Sequence, residues 1–128
     1  MTYLLDTHVF LWLLRAPEVL PVAVREVAAD RSQTLVLSAV TPWEMAIKET
    51  TGKLSAAEIL DNFERVTAQA GLSILETTIR QVIRGGRLPL HHKDPFDRLL
   101  AAQALDLRIP LISCDQVFDL YGVKRIWA

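Results

Sequence analysis

Four times along this chain a short apolar run stops at a polar residue and helical patterning follows. Tyr3-Leu4-Leu5 ends at Asp6-Thr7, Leu35-Val36-Leu37 at Ser38, Ser73-Ile74-Leu75 at Glu76, and Leu111-Ile112 at Ser113. Brief runs bounded by polar residues are the pattern of strands buried on both faces. The intervening periodicity predicts helices over residues 7–14, 21–31, 42–50, 55–70, 78–85 and 95–107. Strands alternating with helices specify an α/β chain, with a short parallel sheet flanked by helices on both faces. Gly52, Gly71 and the Gly85-Gly86 pair each follow a helical stretch, where C-terminal caps are expected.

A length of 128 residues suits one domain spanning 1–128. With 51% hydrophobic residues and a mean hydropathy of +0.23, the chain falls outside the disordered and low-complexity classes. Fourteen Lys and Arg against fifteen Asp and Glu leave a net charge of −1. No overall cationic field then attracts a polyanion, so such a partner must be gripped by a local patch or a metal. The single Cys114 makes neither an internal disulfide nor a zinc site, which favours a reducing compartment, the cytoplasm. It is expected to be a small buried apolar residue. The run Val9 to Leu14 is far short of the roughly 20 residues a bilayer requires. Asp6 ahead of it argues against a signal peptide, so no membrane association is expected and the chain is read as mature. If helical, this run is apolar all round, and Phe10 and Trp12 are the expected anchors of an interface.

Ligands of open parallel sheets lie beyond the carboxyl ends of the strands. The residues there include Asp6 after the first run, Ser38 with Thr41 and Glu44 after the second, and Ser113 with Asp115 after the fourth. Asp97 falls in the first turn of the last long helix. Each acid also has a structural explanation. Thr41-Pro42-Trp43-Glu44 and Asp94-Pro95-Phe96-Asp97 both have the form of capping boxes, and Asp6 and Asp115 suit N-caps. Convergence of Asp6, Glu44, Asp97 and Asp115 favours a second role, because gathered carboxylates resist ionisation until a cation joins them. An oxygen-only set suits Mg²⁺, with Mn²⁺ as a substitute, and phosphodiester chemistry. The hydroxyls of Thr7, Ser38 and Ser113 are placed to orient the acids or a ligand, with helix capping as the competing reading.

Arg80, Arg84 and Arg87 share a helix face if that helix continues through the glycines, and His91, His92, Lys93 and Arg98 extend the basic stretch toward Asp97. Arg98, Lys93, Arg87 and Lys48 are the candidate contacts to a nucleic-acid backbone, against the plainer reading of a solvated surface. The three histidines also permit a metal-free route through an RNA 2′-hydroxyl.

Several segments resemble, in order and spacing, those of PIN-domain proteins, in particular VapC-type toxins. They are Leu4-Leu5-Asp6-Thr7-His8, Trp43-Glu44-Met45-Ala46-Ile47-Lys48, Gly52-Lys53-Leu54, the stretch from Leu88 through Asp94-Pro95-Phe96-Asp97-Arg98, and Ala102-Gln103-Ala104. The resemblance implies a PIN-like three-layer sandwich with Asp6, Glu44, Asp97 and Asp115 in an acidic Mg²⁺ or Mn²⁺ pocket. Asp94 is left as the helix cap. Ser113 stands where threonine is common, Pro42 occupies a usually variable position, and Asp115 matches the least uniform acid. The implied activity is metal-dependent RNA hydrolysis to 5′-phosphate and 3′-hydroxyl ends, as the toxin of a type II toxin–antitoxin system. An antitoxin partner and a homodimer are further implications, with no nucleotide cofactor. The alternatives are a phospho-receiver-like Mg²⁺ module, which wants paired acids after the first strand, and an inactive PIN domain that only binds partners.

Overall fold

In the computed structural model, which describes residues 1–128, each apolar run becomes a strand. These are β1 (Thr2–Leu5), β2 (Thr34–Ser38), β3 (Leu72–Leu75) and β4 (Leu111–Ile112), joined by β5 (Arg125–Ile126), whose two residues carry too little pattern to be read from sequence. All pair in parallel, in the order β3-β2-β1-β4-β5. The chain steps outward from β1 to β3 on one side and then returns to place β4 on the other side of β1. The sheet therefore reverses direction between β1 and β4, where diverging connections open a crevice. A receiver-type sheet has its first strand between the second and third, so that alternative does not match this order.

Successive strand residues face opposite sides. Tyr3, Leu5, Leu35, Leu37, Leu72 and Ile112 pack beneath α1 (Thr7–Arg15), α2 (Val22–Ala29), α3 (Val40–Thr50) and α4 (Ala57–Leu60), in a core that contains Val9, Phe10, Val24, Met45 and Ile59. Leu4, Val36 and Leu111 point the other way, against Leu100, Ala101 and Ala104 of α7 (Pro95–Leu107), with Phe118 and Val123. Three layers result. The edge strand β3 departs from burial on both faces, since Ser73 and Ile74 are exposed.

The helical stretch expected over 55–70 is two helices, α4 and α5 (Phe63–Gln69), interrupted at Asp61-Asn62. Gly52 and Gly71 do follow α3 and α5 in the left-handed region, both at φ 76°. Gly85 and Gly86 instead lie inside α6 (Ile79–Arg87). A Cβ on Gly85 would come within 3.3 Å of Leu99 Cα, so the glycine lets α6 approach α7 closely. Phe10 is buried completely and meets Phe63 edge-on at 5.8 Å between ring centroids, which removes it as an interface anchor. Trp12 is half-buried between His8 and Trp127. Cys114 is exposed, because the chain has already left β4 when it reaches that position. No helix is long and apolar enough to cross a membrane.

Candidate metal centre

The crevice between β1 and β4 collects the acids. Asp6 is the first residue past β1, and its amide still donates to Ile112 O at 3.0 Å, which keeps it in line with the sheet. It stands at the N-cap position of α1 but makes no side-chain cap, so its carboxylate is free of the helix and turns to Ser113 Oγ, which donates to Oδ2 at 2.6 Å. Burial, opposed chiefly by that hydrogen bond, raises the Asp6 pKa above the usual carboxylate range.

Glu44 arrives from α3. The helix begins at Val40, two residues earlier than expected, so Thr41 lies inside it and forms no capping box. Thr41 is fully buried, with its Oγ1 at 3.3 Å from Thr7 Oγ1. Thr7 donates to Glu44 Oε1 at 2.7 Å, and Lys48 Nζ donates to Oε2 at 2.5 Å one helical turn on. The Lys48 ammonium, a candidate phosphate contact, is thus engaged by Glu44. Partial burial disfavours its charge, but Glu44, with Asp94 and Asp97, outweighs this and raises the lysine pKa.

Asp97 is carried by α7. Here the cap expected from the sequence forms in part: Asp94 Oδ1 accepts from Phe96 N at 2.8 Å and Asp97 N at 3.4 Å. Asp97 does not reciprocate, because the Asp94 amide donates to His92 Nδ1 at 3.1 Å. Its carboxylate is therefore available, and burial together with the charges of Asp6, Asp94, Glu44 and Asp115 pushes its pKa to about 8. Asp115 does cap the short 3₁₀ turn after β4, accepting from Val117 N at 3.0 Å, while its other oxygen lies 3.2 Å from His92 Nε2.

Asp6, Glu44 and Asp115 all lie near enough to act on the charge of Asp97, but the four acids are not equivalent. Asp97, Asp115 and His92 each present a donor atom within 4.8 Å of the others. Asp6 and Glu44 influence Asp97 through charge, yet their oxygens are turned toward Ser113, Thr7 and Lys48. The tightest cluster is accordingly not oxygen-only. His92, read from the sequence as part of a basic stretch, makes a 2.9 Å contact with Asp97 Oδ2. Its signal was local, a histidine two residues ahead of an Asp-Pro helix start.

Of the hydroxyls, Thr7 and Ser113 hold acids, while Ser38 Oγ accepts from Val40 N at 3.2 Å and starts α3. Arg98, a candidate contact to a nucleic-acid backbone, is turned inward. It is 7% exposed, and its guanidinium donates to the carbonyls of Gly86, Leu88, Pro89 and His92. It closes the C-terminal end of α6 and pins the loop before α7, which engages both terminal nitrogens of the guanidinium within the chain. Lys93 is exposed. Arg87 is also exposed and shares a shallow depression with Arg80, Ile83 and Arg84, since α6 does continue through its glycines. Arg80 pairs with Asp106 at 3.0 Å.

The donor chemistry fits a hard dication. Burial and four neighbouring carboxylates raise the Asp97 pKa to about 8, a penalty on the ionised form that a bound cation relieves.

The family model of the PIN domain matches residues 3–124. This chain belongs to the PIN-domain family. PIN domains are usually nucleases, and the acidic crevice of this PIN domain agrees with that class. Its fold is similar to VapBC2 from Rickettsia felis bound to a DNA fragment from their promoter (TM-score 0.71, 16% identity, covering 100% of both chains). It is similar to DNA-bound VapBC from Salmonella typhimurium as well (TM-score 0.71, 17% identity, 98% of this chain and 97% of that one). VapBC-1 from nontypeable Haemophilus influenzae matches at a TM-score of 0.67 and 21% identity, over 98% of the PIN domain and 97% of that chain. No curated protein sequence matches it.

Proposed function

We propose that this PIN domain is a Mg²⁺-dependent endoribonuclease, the VapC-type toxin of a type II toxin–antitoxin pair, acting in the cytoplasm as one domain over residues 1–128. The observation that carries this reading is the delivery of Asp6, Glu44, Asp97 and Asp115 from four different elements to the crevice between β1 and β4. Asp6 and Asp97 would hold the ion, and Asp115 would assist from the rim. Mn²⁺ is a substitute, and no nucleotide cofactor is required. When bound, the ion supplies positive charge against the phosphodiester oxygens and makes water more acidic.

Glu44, kept in place by Thr7 and Lys48, orients the attacking water and accepts its proton. Lys93 and Arg87, the candidates left exposed, guide the RNA backbone. Attack in line with the departing 3′ oxygen gives 5′-phosphate and 3′-hydroxyl ends. The VapBC names of the structural relatives support a cognate antitoxin as partner. For a second copy of this chain, burial removes Phe10 as an anchor and leaves Trp12, half-buried beside His8 and Trp127.

The deciding experiment is cleavage of total RNA by the purified chain, with Mg²⁺ or EDTA, beside Asp6→Ala, with analysis of the product ends. Mg²⁺-dependent cutting lost in the variant is the expected result. Equal cutting by both proteins, or EDTA-resistant cutting that leaves 2′,3′-cyclic phosphates, overturns it.

A further inference from the structure

Asp97, Asp115 and His92 have the spacing of a three-donor metal site, two oxygens and one imidazole nitrogen. The hydrogen bonds of His92 argue against that reading. Its Nδ1 lies 3.1 Å from the amide of Asp94, which can only donate, so Nδ1 accepts and carries no proton. In the neutral ring the proton then sits on Nε2, the atom 2.9 Å from Asp97 Oδ2 and 3.2 Å from Asp115 Oδ2. A nitrogen that bears a proton has no lone pair for a metal.

We infer that His92 is a positioning residue of the acidic centre, whose Nε2–H holds the carboxylates of Asp97 and Asp115 together, and is not a metal ligand. This rests on the reading of the crevice as a cation site. The ring is fixed on every side that bears on the point. The His92 amide donates to Tyr121 Oη at 2.8 Å, and its carbonyl accepts from Arg98 at 3.3 Å. The ring face lies 6.3 Å from that of Phe118 between centroids. Tyr121 donates in turn to Pro89 O at 2.7 Å, so the loop that bears His92 is tied to the segment after β4. Asp97 comes from α7 and Asp115 from beyond β4, and the Nε2–H of His92 is the one donor that touches both carboxylates. One donor shared between two acceptors sets the separation of their oxygens before any ion arrives.

The test is titration of the metal-free full chain with Mn²⁺, followed by electron paramagnetic resonance, including electron-spin-echo detection of nitrogen bound to the ion. His92→Ala should weaken Mn²⁺ binding by about 10-fold or more, the usual effect of losing a group that orients a ligand. His92→Gln, whose amide nitrogen reaches the same place, should restore most of the affinity. Wild-type protein should show no directly coordinated histidine nitrogen, a readout that does not depend on any variant folding. A coordinated histidine nitrogen, or Mn²⁺ affinity unchanged in His92→Ala while Asp97→Asn loses it, overturns the inference and leaves the cation site standing. Failure of the wild type to bind Mn²⁺, or unchanged affinity in Asp97→Asn, overturns the cation site and this inference with it.

Discussion

Ser113 Oγ donates to Asp6 Oδ2 at 2.6 Å, joining the carboxyl ends of β4 and β1 across 107 positions of sequence. The same hydroxyl oxygen accepts from the Asp115 amide at 3.0 Å, so one hydroxyl orients a buried acid and sets the backbone that carries a more exposed one. Ser113→Ala leaves a buried carboxyl without its donor. We expect a loss of about 1–3 kcal/mol in stability of the metal-free protein, measured by urea unfolding. Ser113→Thr retains the hydroxyl and should recover much of it. Equal stability of Ser113→Ala and wild type would mean that the Asp6 carboxyl has another partner in solution.

The crevice makes a signed statement about pH. Asp97 has a folded pKa of about 8 against a usual value of 3.8, and Asp6 is shifted in the same direction, both chiefly through burial. Between those limits the folded chain binds more protons than the unfolded chain, so stability falls as pH rises. We expect the melting temperature of metal-free protein to decline from about pH 4 to pH 8 through these groups. Asp97→Asn should flatten much of that slope. Added Mg²⁺ should stabilise more at pH 8 than at pH 6, because less proton must be displaced. A melting temperature that rises steadily over this range, with the same course in Asp97→Asn, contradicts the account.

Arg98 separates a structural role from a substrate role. Its guanidinium donates to four carbonyls from the end of α6 and the following loop. Arg98→Ala should cost at least about 2 kcal/mol, since hydrogen bonds from a charged donor are each worth roughly 1.5–3 kcal/mol. Arg98→Lys should rescue little, because an ammonium lacks the planar fork. Chemical denaturation is the measurement. A variant with full stability and selectively weakened RNA binding would restore the substrate role.

Two adjacent glycines in α6 should behave oppositely. Gly85 faces the backbone of α7, and a side chain there meets Leu99 Cα, Arg98 O and Ala102 Cβ. Gly85→Leu should destabilise by about 1–3 kcal/mol through overpacking. Gly86 has open space where its Cβ would be. Gly86→Ala should stabilise by up to about 1 kcal/mol, the helix preference of alanine over glycine. Thermal melts of the two variants check both signs, and destabilisation by Gly86→Ala would mean that α6 is not helical there.

The amino-acid sequence by itself determined the alternation of strands and helices, hence the parallel sheet, and the acids at its carboxyl edge. Those follow from local patterning, which a linear reading carries. It did not reveal β5, whose two residues show no period, or the break at Asp61-Asn62 inside an unbroken helical pattern. The tertiary structure alone decided which polar groups face which. Arg98 and Lys93 are both basic residues near the same helix start, yet one is buried among carbonyls and the other is exposed. Gly85 looks like a helix end until α7 lies against it. His92 reads as surface charge until the turn from Asp94 leads its ring between Asp97 and Asp115. Burial and hydrogen-bond pairing depend on contacts between residues distant in the chain, so spacing along the sequence does not encode them directly.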